Sequence, residues 1–172
     1  SVVTDQIETF TEKGLQLASG RELEADVIVT ATGLQLHVLG GLRFEVDGQA
    51  VDLPAQMVYK GSMVSDVPNL AFAVGYTNAS WTLKCDLTCE YVTRLLNFMD
   101  QHGYTSAAPH NDDGSVEALP MLDLTAGYVQ RSVHLFPRQG SKHPWRLHQN
   151  FALDQRMFRH GPMHDGVLRF SR

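Results

Sequence analysis

The residues of this 172-residue chain that could do chemistry fall into a few groups, and most of them lead nowhere. Cys85 and Cys89 sit four apart where a helix would point their Cβ atoms in directions unsuited to a disulfide, so they read as small apolar filling in a reducing compartment. His160 and His164 have the i, i+4 spacing of a metal pair. Gly161 and Pro162 between them break the helix needed to converge the rings, and no metal site is expected. Nineteen carboxylates are scattered along the chain, and no spacing singles out an acid and a base. There is no G-x-S-x-G, no P-loop and no G-x-G-x-x-G, which removes the commonest hydrolase and nucleotide-binding readings. What remains is Tyr76 to Cys85, a polar loop running into a helix start that carries Lys84 in its first turn. Orphan N–H groups and the helix dipole at such a start suit an anionic or electron-rich ligand, although ordinary strand-to-helix packing gives the same pattern. A cation there is opposed by the dipole. Either its stem carries it to solvent or something favours its charge.

The elements that would position this loop are a strand before it and a helix after it. Leu70, Phe72 and Val74 alternate with Ala71, Ala73 and Gly75, which predicts a strand buried on both faces of a parallel sheet. Leu83, Leu87, Tyr91, Leu95 and Met99, widened by Val92 and Leu96, predict an amphipathic helix that Ser80 or Thr82 can cap and that His102-Gly103 stops. Upstream, Val2 to Phe10, Leu15 to Leu17 and Arg21 to Glu24 predict an antiparallel meander, followed by Ala25 to Gly33, ADVIVTATG, as a second buried strand. Asp47-Gly48 signals a tight hairpin. Downstream, Tyr104 to Leu119 reads as a loop, Asp123 or Thr125 to Leu135 and Gln149 to Phe158 as helices, and Val167 to Phe170 as a short strand. The expected fold class is α/β. Its parts are a meander over 1–24, a main strand-loop-helix segment over 25–103, and a loop with a helical tail over 104–172.

Composition narrows the class further. Hydrophobic residues make up 43%, and no apolar run approaches the roughly 18 residues that would span a bilayer, so neither a membrane span nor secretion is expected and the cytoplasm is the default. The chain opens at Ser1, in strand-like sequence, as a segment of something longer would. Its charge of −5 is uneven, with 17 Asp+Glu in 1–130 and 8 Lys+Arg against 2 acids in 131–172. Because the tail's cations are interleaved with Pro, Trp, Phe and Leu, a tail folded onto the acidic body is expected in preference to a nucleic-acid arm.

One resemblance organises these readings. DVIVTATG, then YKG with DVPNLAFAVGYTNASWTLKCDL, then EYVTRLLNFM, then YVQRS with PRQG and PW, in that order, resemble the carboxyl-terminal third of class B flavoprotein monooxygenases. The likeness is to the Baeyer-Villiger group and its ethionamide-activating branch. It implies a partial two-dinucleotide-binding, Rossmann-like flavoprotein fold in which 1–24 ends an NADP domain and 25–103 returns to an FAD domain. It also implies FAD and NADP as cofactors, with O2 and a small ketone, sulfur or nitrogen compound as substrates. By the same resemblance Thr32 and Gly33 lie near the flavin nucleotide, and Asn78, Trp81, Thr82, Leu83, Lys84 and Cys85 near the isoalloxazine, where Lys84 would favour reduced flavin. The family's glycine-rich fingerprints, its F-x-G-x-x-x-H-x-x-x-W stretch and its steadying arginine would lie in a missing amino-terminal portion, so no residue of this chain takes a catalytic role. Weak FAD binding and self-association through uncovered strands are then expected of the chain alone. A binding module that joins a separate nucleotide-binding chain, or a structural remnant, is the alternative.

Overall fold

Three short amino-terminal strands close on one another as the turn signals predict. β1 (Ile7–Thr11), β2 (Gly14–Leu17) and β3 (Glu22–Glu24) form an antiparallel sheet in that order, with Phe10 opposite Leu15 and Leu15 opposite Leu23. A Cβ at Gly14 would lie 1.9 Å from the Leu23 carbonyl oxygen, so the sheet admits only glycine there. The computed structural model describes residues 1–172 and divides them into two units, Ser1–Leu34 with this meander and Gln35–Arg172 with all the rest.

In the second unit, β4 (Glu45–Val46) and β5 (Gln49–Ala50) pair across Asp47-Gly48, both at positive φ, which is the turn that Asp-Gly favours. A second hairpin, β6 (Val58–Tyr59) with β7 (Met63–Val64), is fully buried and turns through Lys60 and Gly61, again at positive φ. The long helix α1 (Trp81–His102) ends at Gly103 in the left-handed conformation. β8 (Ser106–Pro109), β9 (Ala118–Pro120), the single turn α2 (Gly127–Gln130) and β10 (Arg138–Gly140) lead to α3 (Phe151–His160) and to β11 (Leu168–Ser171). β11 pairs antiparallel with β8, and β10 with β9. The result is an α/β structure of small antiparallel sheets and few helices.

One apolar core joins these pieces. Leu87, Tyr91, Leu95 and Met99 of α1 pack with Tyr59, Met63, Trp145, Phe158, Met163 and Leu168, and Tyr91 meets Phe158 edge-on with ring centres 5.4 Å apart. The two helix ends of α3 are both satisfied. The Asn150 side chain accepts from the Leu153 N–H at its start, and the Arg94 guanidinium donates to the Phe158 and Gly161 carbonyls at its finish. No helix is long and apolar enough to cross a membrane.

The structure corrects several expectations. Ala25 to Gly33 is not a buried strand: beyond one hydrogen bond, from the Ala25 N–H to the Lys13 carbonyl, it pairs with nothing, and Val27 and Val29 are 78% and 83% exposed. A β-branched run of this kind needs strands on both sides and layers on both faces, and this chain offers neither. Leu70 to Val74 is extended but holds only a single bridge, Ala71 to Met63, so its large side chains are half-buried and Ala71 and Ala73 face out. The stripe of α1 continues amino-terminally through Lys84 and Thr88, while Leu83 and Leu96 stand exposed. Neither Ser80 nor Thr82 caps the helix backbone; their hydroxyls bond to each other at 2.8 Å. Cys89 is exposed, so only half-buried Cys85 acts as filling. The helix expected to Leu135 is one α-helical turn and a separate 3-10 turn at Val133–Leu135. Tyr104 to Leu119, read as a loop, contributes β8 and the start of β9.

Candidate functional site

Lys84 explains why a cation sits in the first turn of α1. Its side chain turns inward from the helix start, is 6% exposed, and donates to Asp154 Oδ2 at 2.7 Å. The Tyr76 hydroxyl donates to the same oxygen, also at 2.7 Å, and the Lys84 ammonium lies 4.2 Å from the centre of the Phe158 ring. Burial pushes the Lys84 ammonium down from its ordinary value against the opposing pull of Asp154, and burial together with the Asp154 bond pushes the Tyr76 phenol well up. The carboxylate thus binds a lysine and a phenol that flank the loop between them.

Gln149, five residues before Asp154, grips the middle of the same loop. Its side-chain oxygen accepts from the Thr77 N–H at 3.0 Å and from the Thr77 hydroxyl at 3.2 Å, and its carbonyl accepts from Asn78 Nδ2 at 3.0 Å. Gln149 holds a left-handed backbone conformation, with φ of 50°, which aims its side chain and its carbonyl at one stretch of loop. Gly75 closes the arrangement. A Cβ there would lie 2.3 Å from Trp81 Cγ and 2.4 Å from Trp81 Cα, so the helix start rests directly on the chain that enters the loop. Behind the loop lies a cavity of about 30 Å³, bordered by Lys60, Gly61, Tyr76, Lys84 and Asp154, room for about one water.

A second network is built around Asp165. The Tyr59 hydroxyl donates to Asp165 Oδ2, Lys60 Nζ lies 3.1 Å from the same atom, and the Val167 and Leu168 N–H groups donate to Asp165 Oδ1. Burial works against the Asp165 carboxylate, but Lys60, Tyr59 and the Leu168 N–H together hold it below the ordinary range. Burial pushes the Tyr91 phenol, which donates to the Tyr59 oxygen at 3.4 Å, up to about 12.

The sequence-predicted residues divide accordingly. Asn78, Trp81, Thr82, Leu83, Lys84 and Cys85 share one loop and helix start. Trp81 is 60% and Leu83 38% exposed, and no side chain caps the first N–H groups, so this end of α1 offers free donors beside apolar surface. Lys84 and Cys85 face inward by contrast. Thr32 and Gly33 lie in the first unit, exposed, with Gly33 at a positive φ of 96°. Tyr76, Gln149, Asp154, Lys60 and Asp165 were not singled out from sequence. One signal was present: Asp154 and Asp165 are the only acids in the basic tail.

Comparison with known proteins gives this geometry its context. The FAD-containing monooxygenase EthA of Mycobacterium tuberculosis (strain ATCC 25618 / H37Rv) is 52% identical over 171 residues, which is 99% of this chain and 35% of that protein. EthA of Mycolicibacterium smegmatis is 48% identical over 171 residues, again 99% of this chain and 35% of the relative. The protein named "Probable FAD-binding monooxygenase AlmA" of Acinetobacter baylyi is 47% identical over 173 residues, covering 100% of the chain and 35% of that protein. No family model and no solved structure matches. The chain spans about a third of the length of the curated relatives it matches. Over its whole length and at about half identity, this chain is similar to about a third of proteins named as FAD-containing or FAD-binding monooxygenases in two genera of mycobacteria and in Acinetobacter.

Proposed function

We propose that this chain is the carboxyl-terminal part of an FAD- and NADPH-dependent monooxygenase of Baeyer-Villiger type. Such an enzyme inserts oxygen into ketones or transfers it to sulfur or nitrogen. The identity to EthA over 99% of the chain carries the reading. The helix start supports it: uncapped N–H groups beside Trp81 and Leu83 suit a flat, electron-rich ring with an apolar face and a polar edge. FAD, when bound, supplies the two-electron and O2 chemistry that no side chain here can supply. Asn78, Trp81, Thr82 and Leu83 would contact the ring, Cys85 would pack behind them, and Thr32 and Gly33 would lie by the nucleotide. Lys84 would act as half of a neutral pair, lending rigidity more than charge. On this reading 25–103 belongs to a Rossmann-like FAD domain, whose sheet would cover Val27, Val29 and the outer face of Leu70 to Val74.

The full-length protein containing this chain should purify yellow, with flavin absorption bands. It should oxidise NADPH faster in the presence of a ketone or thioether, with one atom of labelled O2 found in the product. A colourless protein, or label absent from the product, defeats the proposal.

A further inference from the structure

The five hydrogen bonds between the tail and the loop of Tyr76 to Lys84 all come from two tail residues. Gln149 accepts from Thr77 twice and from Asn78, and Asp154 accepts from Tyr76 and Lys84. Between Tyr76 and Trp81 the loop has no regular secondary structure. The first N–H groups of α1 are left without a side-chain cap, so nothing local to the helix fixes how those donors are presented. The tail fixes them instead. Asp154 holds one residue on each side of the loop, Gln149 holds its centre, and both sit at the start of α3, whose own ends are satisfied by Asn150 and Arg94.

We infer that Gln149 and Asp154 are positioning residues for the ligand-facing loop, a latch by which the tail presents Asn78 and the start of α1 in one register to the flavin. The inference rests on the flavin reading above, yet the latch itself is a property of this chain. Neither residue touches the ring on this account; each acts through Tyr76, Thr77, Asn78 and Lys84. Thr77 loses two bonds when Gln149 becomes Ala, while Asn78 keeps its bond to the main-chain carbonyl of residue 149. The buried core contributes nothing to that loss, because Gln149 lies at the margin of the fold and the pair Lys84–Asp154 stays intact.

The test uses the full-length protein as wild type, as Gln149→Ala, as Asp154→Asn, and as Gln155→Ala. The last is a neighbour on α3 that makes no hydrogen bond to the loop. Amide hydrogen exchange is read first, in the FAD-free protein. In Gln149→Ala the Thr77 amide, the loop N–H that bonds to the Gln149 side chain, should exchange about tenfold faster, the loss expected for about one net hydrogen bond, while those of Tyr91 and Leu95 stay unchanged. Apoprotein titration is read second. FAD affinity should fall about tenfold in both latch variants and stay at the wild-type level in Gln155→Ala, with the thermal midpoint of Gln149→Ala within about 2 °C of wild type. Wild-type exchange in the loop of both latch variants overturns the latch. Faster loop exchange with wild-type FAD affinity overturns its positioning role. A wild-type protein that holds no FAD defeats the flavin reading and leaves the exchange result to decide the latch by itself.

Discussion

Lys84 and Asp154, 70 residues apart in sequence, form a buried ion pair at 2.7 Å in which the lysine comes from the acidic body and the acid from the basic tail. A second pair, buried Lys60 with half-buried Asp165 at 3.1 Å, has the same polarity. The tail's net positive charge is therefore met in two ways. At the surface its cations find acids of the body, Arg159 with Glu90, Arg169 with Asp112 and Lys142 with Asp113. In the interior the roles reverse. Exposed pairs of this kind add little; the buried ones carry the specificity of docking, because a wrong register leaves a charge without a partner.

Breaking the Lys84 pair from one side should be costly. Asp154→Ala leaves a buried ammonium and a buried phenol unpaired, and is expected to destabilise the unit by about 3 to 5 kcal/mol. Replacing all three polar ends together, as Tyr76→Phe, Lys84→Met and Asp154→Leu, should cost under about 1 kcal/mol. Hydrogen exchange at the core amides of α1 measures both. A triple variant as unstable as the single one would show that the pair does more than satisfy itself.

Acid should act through Asp165. Its folded carboxyl lies below the ordinary 3.8, so the stability it contributes is present above that value and is lost as pH falls from 3.8 through the folded value, where the native state must take up the proton. Asp165→Asn should flatten that part of the stability curve in an acid titration followed by Tyr fluorescence. An unchanged acid limb would place the acid sensitivity elsewhere.

Gly75→Ala should disturb the loop more than its size suggests. The added methyl meets Trp81 backbone and side chain at 2.3 to 2.5 Å, closer than any Cβ contact, and backbone cannot yield as a flexible side chain does. A cost of about 1 to 3 kcal/mol is expected, with a shift in Trp81 emission. Wild-type emission and stability would mean that the chain relaxes at no cost.

How much of this was legible in sequence depends on range. α1, α3, β11 and the Asp47-Gly48 hairpin follow from periodicity and turn residues, because their signals lie within a few positions. β8 was hidden: SAAP reads as loop and becomes a strand only because Leu168 to Ser171 pairs with it from about sixty residues on. Lys84 was legible as an oddity, a cation against the dipole, but its answer was a carboxylate far along the chain. Val27 to Val29 misled in the other direction, since a run suited to a central strand says nothing of whether its neighbours are supplied by the same chain.

Those valines make the last prediction. With Val27 and Val29 about four-fifths exposed and their backbone unpaired, the isolated chain should self-associate at micromolar concentration and bind FAD weakly or not at all. Val27→Lys with Val29→Lys should restore a monomer by light scattering. A wild-type monomer at high concentration would count against exposed strand edges as the cause.

The reversed polarity of the buried pairs also sets an order of events during synthesis. Lys60 and Lys84 leave the ribosome long before Asp154 and Asp165. A nascent chain that has completed α1 therefore holds two ammonium groups that cannot yet be dried, and the hairpin and the helix start must stay wet until Asp154 and Asp165 have been made. A chain that stops before Asp154 has α1 but neither α3 nor a partner for either lysine, and quality control meets it as an open, hydrated unit.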